Sequence, residues 1–478
     1  MPRFFHLIAA VIFLCCTVIV YPQTASSGAA PIVLSPQEAV DHAIINNLML
    51  ETARIGTDMQ RRRAAHAWNQ FLPNAIVSGT MTRSNQLNTA SGLAPVPLGG
   101  GVYGVVPFSM DIPRWNVIGM FSASLDFSFA LIESVRTSQL EYRAGVLTLE
   151  KAKLQIEQAV RKMYNQILLL EANAVLLNDS IDNAQRQAAI AQANFNAGLA
   201  PRLTLLQAQV AVENMRPAIN DLSNNIKSLR GNFALLLGMP YDTEFELEPS
   251  LLEASFDTSF IPEDLAVFIS RSASGKPDIS ELQANIRVLQ SQRDALRLGH
   301  FTPFVRLGWD IGSMFDPMLD PLNNSWLDSN HWSSSGQVGG SFSLTVGMSL
   351  NGLFGFTREG QQRKDINSGI QIQYIQLSQM IQETELEIFN KINSLETIVT
   401  SAEVQQAAVE LAQLTYNLTE QAYRAGLQDF QSVQNATLAL EQARLQYLTL
   451  YFNFLNDLID LEYAIGVPFG TLSNKENN

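Results

Sequence analysis

Five histidines, His6, His42, His66, His300 and His331, are the first candidates for metal or acid–base chemistry. None has the HxxxH spacing that sets two imidazoles on one helix face for a zinc ion. Glu383, Glu385 and Glu387 alternate along a helical stretch, so they face different directions and read as solvated surface rather than a paired acid and base. Gly99-Gly-Gly101-Val-Tyr-Gly104 satisfies the GxGxxG pattern. It runs on into Val-Val-Pro-Phe, where a dinucleotide site needs a helix, and is expected to be an outer loop. Cys15 and Cys16 are the only cysteines and sit inside an apolar N-terminal run. No phosphate-binding loop is present. The expectation is therefore a protein without catalytic residues, cofactor or metal, one that is not an enzyme and takes any energy from a partner.

The composition points elsewhere. Of 478 residues 46% are hydrophobic and only 16% charged, with 31 Lys+Arg against 45 Asp+Glu and a formal net charge of −14. A nucleic-acid binder needs a basic face to displace counterions, so nucleic acid is not an expected partner. Mean hydropathy is nonetheless near zero, because Asn, Gln, Ser and Thr take the place of charge. A membrane protein built without apolar helices has this profile, and so does a polar soluble protein.

Arg3, the apolar run Leu7 to Val20 and the small, polar stretch Gln23 to Ala30 have the layout of a secretory signal peptide, with cleavage expected after Ala29. A transmembrane anchor is the alternative, although 14 apolar residues are short of the ~20 that span a bilayer. Leu14 precedes Cys15 where a lipoprotein signal takes Gly, Ala or Ser, so the cysteines read as part of the leader core; lipidation of either stays open.

The elements that carry the function emerge from a repeat. Phe195-Asn-Ala-Gly198-Leu has a partner 228 residues later in Tyr423-Arg-Ala-Gly426-Leu. Forty residues beyond each glycine comes another, in Leu237-Gly238-Met-Pro240 and Ile465-Gly466-Val-Pro468. Between them apolar residues recur every seventh position, as Leu205, Val212, Ile219, Ile226 and Phe233, and again as Val433, Leu440, Tyr447, Phe454 and Leu461. Two such stripes in register indicate an internal duplication of helices that supercoil on partners. Long proline-free stretches precede each Gly-Leu, Leu131 to Ala197 and Phe356 to Ala425, so each is expected to be a helical hairpin turning at Gly198 or Gly426. Pro217 is expected to kink or interrupt the first returning helix near Glu213.

Ahead of each hairpin lie two period-two segments. They are Ala75 to Arg83 with Val117 to Leu131, and Val305 to Ile311 with Val338 to Leu350. Phe121, Leu125, Phe127, Phe129, Leu307, Trp309, Phe342, Leu344, Val346 and Met348 form the apolar side, facing lipid if these strands wall a barrel; Ser, Thr, Gly and charge form the other. A soluble sandwich with one wet face is the alternative. Four strands cannot close a membrane barrel, so several chains must share the wall. Long loops, Asn85 to Arg114 and Ser313 to Gln337, join the strands, with Trp115, Trp309, Trp326 and Trp332 in or beside them. The resulting division is residues 1–29 signal peptide, 30–240 first repeat, 241–277 linker, 278–468 second repeat and 469–478 tail.

Together these features resemble the TolC-like outer-membrane efflux proteins. Leu34-Ser-Pro-Gln-Glu38-Ala-Val-Asp-His-Ala43 is similar to that family's first helix, Phe71-Leu-Pro-Asn-Ala75 to its entry into the first strand, and both Ala-Gly-Leu turns and Gly-x-Pro ends match. The resemblance implies a mixed α and transmembrane β fold: a homotrimer with a twelve-strand β-barrel in the outer membrane, four strands per chain, continued by a helical coiled-coil tunnel in the periplasm. It implies docking on a periplasmic adaptor (membrane fusion) protein and, through it, on an inner-membrane pump. Carried over by position, the docking tips are Ala197, Gly198, Leu199, Ala425, Gly426 and Leu427. Relatives with an acidic ring at the tunnel entrance carry it six and nine positions after the second tip glycine; here those positions are Ser432 and Asn435. Arg202 and Asp429 lie near the tip instead, as a gate pair or as two solvated turn residues. The leading expectation is a passive exit duct for efflux or secretion. A surface-exposed adhesive coiled-coil protein without transport is the alternative, and a soluble adaptor is disfavoured by the four amphipathic strands.

Overall fold

The computed structural model describes residues 32–83, 85, 89–111, 115–248, 256, 265–315, 338–351 and 354–472. The leader with Cys15 and Cys16, the segment with Trp326 and Trp332, and the end of the tail lie outside the described residues.

The chain opens with β1 (Ile32–Leu34), α1 (Pro36–Asn46) and α2 (Leu48–Ala65). Ser35 and Glu38 start α1 as a reciprocal capping box, and Asn47 caps α2 by accepting from Met49 and Leu50 N–H. Then come β2 (Asn74–Arg83), β3 (Thr89–Gly99), β4 (Val102–Asp111) and β5 (Trp115–Ser128), followed by α3 (Phe129–Asn196) and α4 (Arg202–Leu237). The second half supplies β6 (Phe245–Leu247), α5 (Leu265–Ser272), α6 (Pro277–Phe301), β7 (Phe304–Phe315), β8 (Val338–Gly347), α7 (Arg358–Arg424) and α8 (Phe430–Ile465).

Four of these strands form one antiparallel sheet in the order β2-β5-β7-β8, drawing two from each half. The segment expected to be a plain loop, Asn85 to Arg114, contains the separate hairpin β3–β4 instead. Its turn is Gly100-Gly101, at φ 62° and 81°, the double positive φ that tight hairpins demand. Pro95, Pro97 and Pro107 are tolerated because a two-stranded ribbon has open edges on both sides. The GxGxxG residues are thus a hairpin turn.

Three further expectations are corrected. Phe129 opens α3, since Ser128 is the last extended residue (φ −148°, ψ 155°). Met348 lies one residue past the end of β8. Period-two alternation continues through Phe127, Phe129 and Leu131 and so hides where the backbone turns helical. Pro217 does not interrupt α4, which runs unbroken from Arg202 to Leu237. Glu213 and Pro217 are both exposed there, so water reaches the carbonyl that proline leaves without a donor.

The helices α3 and α7, 68 and 67 residues long, each extend about 100 Å at 1.5 Å per residue. Two apolar cores lock them far from the tips. Tyr164, Ile167, Phe233, Leu237 and Phe245 are fully or almost fully buried in the first; Ile388, Ile392, Leu395, Phe454 and Leu461 fill the second. Tyr164 donates its hydroxyl to the Leu34 and Glu248 carbonyls at 3.0 and 2.8 Å, bolting the β1–β6 pair to α3. Sequence reading placed Glu387 on a solvated face; it pairs with Lys276 at 2.6 Å.

An ion network that the sequence did not suggest joins α3, α7 and α8. Lys391 Nζ lies 2.6 Å from Asp457 and 2.7 Å from Asp460, and Lys162 reaches Asp460 at 2.7 Å. Burial alone would lower the Lys391 pKa, but hydrogen bonds to both aspartates outweigh it and raise the pKa. Burial opposes ionisation of Asp460 too, and the two lysines prevail, holding its pKa low. This stabilisation is therefore complete at neutral pH; it is lost at low pH as Asp460 protonates through its lowered pKa, and at high pH as Lys391 deprotonates through its raised one. Lys391→Met should destabilise the chain by about 3 kcal/mol, because it leaves two half-buried carboxylates facing each other. Equal thermal unfolding of the variant and parent at pH 7 would contradict this.

Candidate functional site

The sheet presents two chemically opposite faces, and strand register creates them. Val77, Phe121 and Ile311 align across three strands, and Ala75, Ala123, Trp309 and Phe342 across four. Leu125, Leu307 and Leu344 form the next row, then Phe127, Val305 and Val346. One residue along, the rows become Ser122, Asp310 and Ser341, then Asp126, Arg306 and Thr345. Side chains alternate faces with period two, so each apolar row shares one side of the wall.

That apolar side is unusually open for such residues: Val77 is 82% exposed, Phe342 73% and Val346 65%. Phe121 packs edge-on to Trp309 with ring centroids 5.6 Å apart, a cross-strand contact that fixes the register. On the opposite face Arg306 bonds Asp126, so the polar rows carry paired charge. Of the ten apolar candidates, eight lie on this face; Phe129 and Met348 fall just outside the strands, at its end towards the helices. Phe127 and Phe129 remain ring neighbours at 6.0 Å, carrying the aromatic surface across the strand–helix boundary.

At the other end of the molecule the two hairpin turns have the same geometry. Gly198 and Gly426 take φ of 76° and 74°. Leu199 N–H bonds Asn194 O and Leu427 N–H bonds Ala422 O, both at 2.8 Å, while each glycine N–H reaches back three residues. These are Schellman ends, with Ala197 and Ala425 as the last right-handed residues. Leu199 and Leu427 are each 79% exposed, two large apolar side chains set on the outermost turns. Behind them Ala191, Ala208 and Phe430 pack α3, α4 and α8 together, the alanines permitting close approach.

The proposed gate residues do not meet within one chain. Asp429 caps α8, accepting from Ser432 N–H at 2.8 Å. Its hydrogen bonds with Ser432 hold its carboxyl below the usual aspartate range. Arg202 begins α4 at an exposed position, and no ion pair joins the two. Among the described residues no group of three His, Cys, Asp or Glu is arranged to hold a metal, and no helix is long and apolar enough to cross a membrane.

Comparisons with known proteins match this geometry. A family model described as outer membrane efflux protein matches residues 39–239. The pyoverdine export outer membrane protein OpmQ of Pseudomonas aeruginosa is 22% identical over 427 residues, covering 84% of this chain and 82% of the relative. Its Pseudomonas putida counterpart is 22% identical over 354 residues, 72% of this chain and 70% of that one. Among solved structures, CusC, whose structures concern folding and transmembrane channel formation, superposes with a TM-score of 0.71 at 17% identity, over 93% of this chain and 96% of its own. The outer membrane protein VceC of Vibrio cholerae does so with a TM-score of 0.70 at 15% identity, over 91% and 96%.

Proposed function

We propose that this chain is a TolC-like outer-membrane efflux protein with its helical part in the periplasm, and that three copies of it form one passive exit duct. The observation that carries the reading is the sheet with one continuous apolar face, whose outer strands β2 and β8 pair with no further strand among the described residues. An open edge in lipid leaves backbone N–H and C=O groups without partners, a cost removed only by closure. Joining β8 of one copy to β2 of the next closes a twelve-strand barrel after three copies. The polar rows then line the lumen, and the aromatic rows meet lipid. The helices continue the wall as a tunnel, which the two heptad stripes and the length of α3 and α7 support. The matching φ angles at Gly198 and Gly426, and at Gly238 and Gly466, support the internal duplication.

The duct transports without chemistry of its own. Width, lining charge and gating are what it contributes, while an adaptor and pump supply energy and selection. The export of pyoverdine by its relatives favours a small secreted molecule as cargo. The exposed Leu199 and Leu427 are the surface on which an adaptor would bury apolar area. The test is Leu199→Asp with Leu427→Asp: adaptor capture and export should fall at least tenfold while reconstituted trimers keep their conductance. Unchanged export would remove the tips from docking.

Arg202 and Asp429 are assigned to a gate between neighbouring hairpins, where opposite charges on different copies hold the tips together. Arg202→Gln with Asp429→Asn should raise single-channel conductance several-fold. An unchanged conductance leaves them as solvated turn residues.

A further inference from the structure

Where the sheet passes into the helices, α3, α6 and α7 frame a cavity of about 920 Å³ that the duct reading leaves without a role. One stripe of each helix faces it, with Ala130, Ser134 and Ser138 on α3, Leu296 and His300 on α6, and Ile366 on α7. From Ala130 to Ser138 it is about 12 Å long at 1.5 Å per residue. Its volume falls in the range of pockets that take a drug-sized molecule. Ala130, Ala295 and Gly299 keep the space open, presenting at most a methyl group.

Two polar groups on its wall are unmet. His300 Nδ1 is buried and has no hydrogen-bond partner among the described residues. Asp365 is the one carboxylate of the lining, and no ion pair or hydrogen bond engages it among the described residues. The basic residues beside it are turned elsewhere: Arg363 lies over the Phe301 ring at 4.9 Å, and Lys364 bonds the Gly355 carbonyl at 3.3 Å. Helix packing brings the two unmet groups together. Gln290 against Tyr374 at 2.9 Å, and Phe301 under Arg363, set the antiparallel register of α6 and α7. That register puts Asp365 level with Gly299, the residue next to His300.

The cavity lies on the side of the wall that the polar rows of the sheet occupy. On α3, Phe129, Ile132 and Arg136 are about half a turn from Ser134 and so point the other way. Phe129 continues the apolar face through its contact with Phe127. By the same spacing, Phe301 and Arg363 stack on the far side of α6 and α7. One carboxylate and one imidazole are too few ligands for a structural zinc ion, and among the described residues no third joins them. An amine meets both needs. Its N–H groups reach the carboxylate in a charge-assisted bond and the imidazole nitrogen as a plain acceptor, with the ring proton on Nε2. Leu131, Leu296 and Ile366 line the same cavity and give the rest of such a molecule an apolar surface.

We propose that this cavity binds an amine with a hydrophobic ring body, its nitrogen held between Asp365 and His300 and its rings against Leu131, Leu296 and Ile366. The site itself stands without the duct; its place on the export path, opening into the lumen, rests on that reading.

The test is calorimetric titration of the full-length, detergent-purified protein with 1-naphthylmethylammonium chloride, against 1-naphthylmethanol and sodium 1-naphthoate, each corrected for uptake by detergent alone. One amine per chain should bind saturably, with the alcohol at least tenfold weaker and no saturable binding of the carboxylate. Asp365→Asn should weaken amine binding at least tenfold and leave that of the alcohol unchanged. Its side chain has no partner to lose, so thermal unfolding should stay that of the parent. His300→Leu should cost about threefold, and Ala295→Phe, which fills the space, should abolish binding of amine and alcohol alike. No saturable binding of the amine, equal binding of the alcohol, or an unaltered Asp365→Asn affinity each overturns the proposal. In reconstituted channels the amine should block current over the same concentration range, and full current at saturation would overturn the place on the export path. Channels that carry no current before amine is added would count against the duct, and the titration would still decide the site.

Discussion

Replacing Gly466 with alanine is expected to prevent assembly, whereas the same change at Gly426 should leave the protein folded. Both glycines end a long helix in the left-handed region, at φ 73° and 74°. A Cβ there costs about 1–2 kcal/mol from backbone strain alone. The difference lies in what the new atom meets. At Gly466 it would sit 2.1 Å from the carbonyl oxygen of Gly275 and 2.6 Å from its carbon, whereas at Gly426 nothing lies within 4 Å. Those neighbours are backbone and cannot rotate away, so α8 must separate from the turn leading into α6. Gly238→Ala repeats the conflict in the first half, with the Asn46 carbonyl oxygen 2.2 Å away. Loss of the folded, assembled species is expected at Gly238 and Gly466, and a few degrees of Tm at Gly198 and Gly426. Gel mobility without heating, with thermal unfolding, reads both. Equal effects at all four would mean the close approaches do not exist in the assembled protein.

Leu344→Arg should remove the protein from the outer membrane, while Ser341→Arg should leave it there. Leu344 sits in the row with Leu125 and Leu307, on the face assigned to lipid. An arginine near the bilayer midplane costs about 2–4 kcal/mol, and in a trimer the penalty is incurred three times over. Ser341 belongs to the opposite face, beside Asp310, where an added guanidinium finds water and a carboxylate. Its expected effect is a shift of channel selectivity towards anions. Membrane fractionation and bilayer recording test the pair. A tolerated Leu344→Arg with an excluded Ser341→Arg would exchange the assignment of the two faces.

The strands and hairpins were legible in the sequence for a simple reason. Period two and period seven are imposed by the backbone, and here they run long enough to stand out from chance. The turns were legible because only glycine takes φ near 75° at low cost, as Gly198 and Gly426 do. Boundaries were less so: Phe129 continues the strand pattern although its backbone is already helical. The β3–β4 hairpin was hidden by three prolines, which argue against strands inside a sheet but not on a ribbon with two open edges. Pro217 misled in the reverse sense, because an exposed helix turn loses little when one carbonyl turns to water. Least legible were contacts between elements distant in the chain. Nothing in the spacing of Lys162, Lys391 and Asp460 announces that three helices meet there.

The central claim is the shared wall, and it is tested most directly by electron-microscope imaging of the detergent-purified mature protein with mass measured on the same sample. The account predicts three chains in a hollow cylinder well over 100 Å long, since helices of 68 and 67 residues alone span about 100 Å. A monomer, or a compact particle without a lumen, would contradict it, because the four strands would then have no barrel to join.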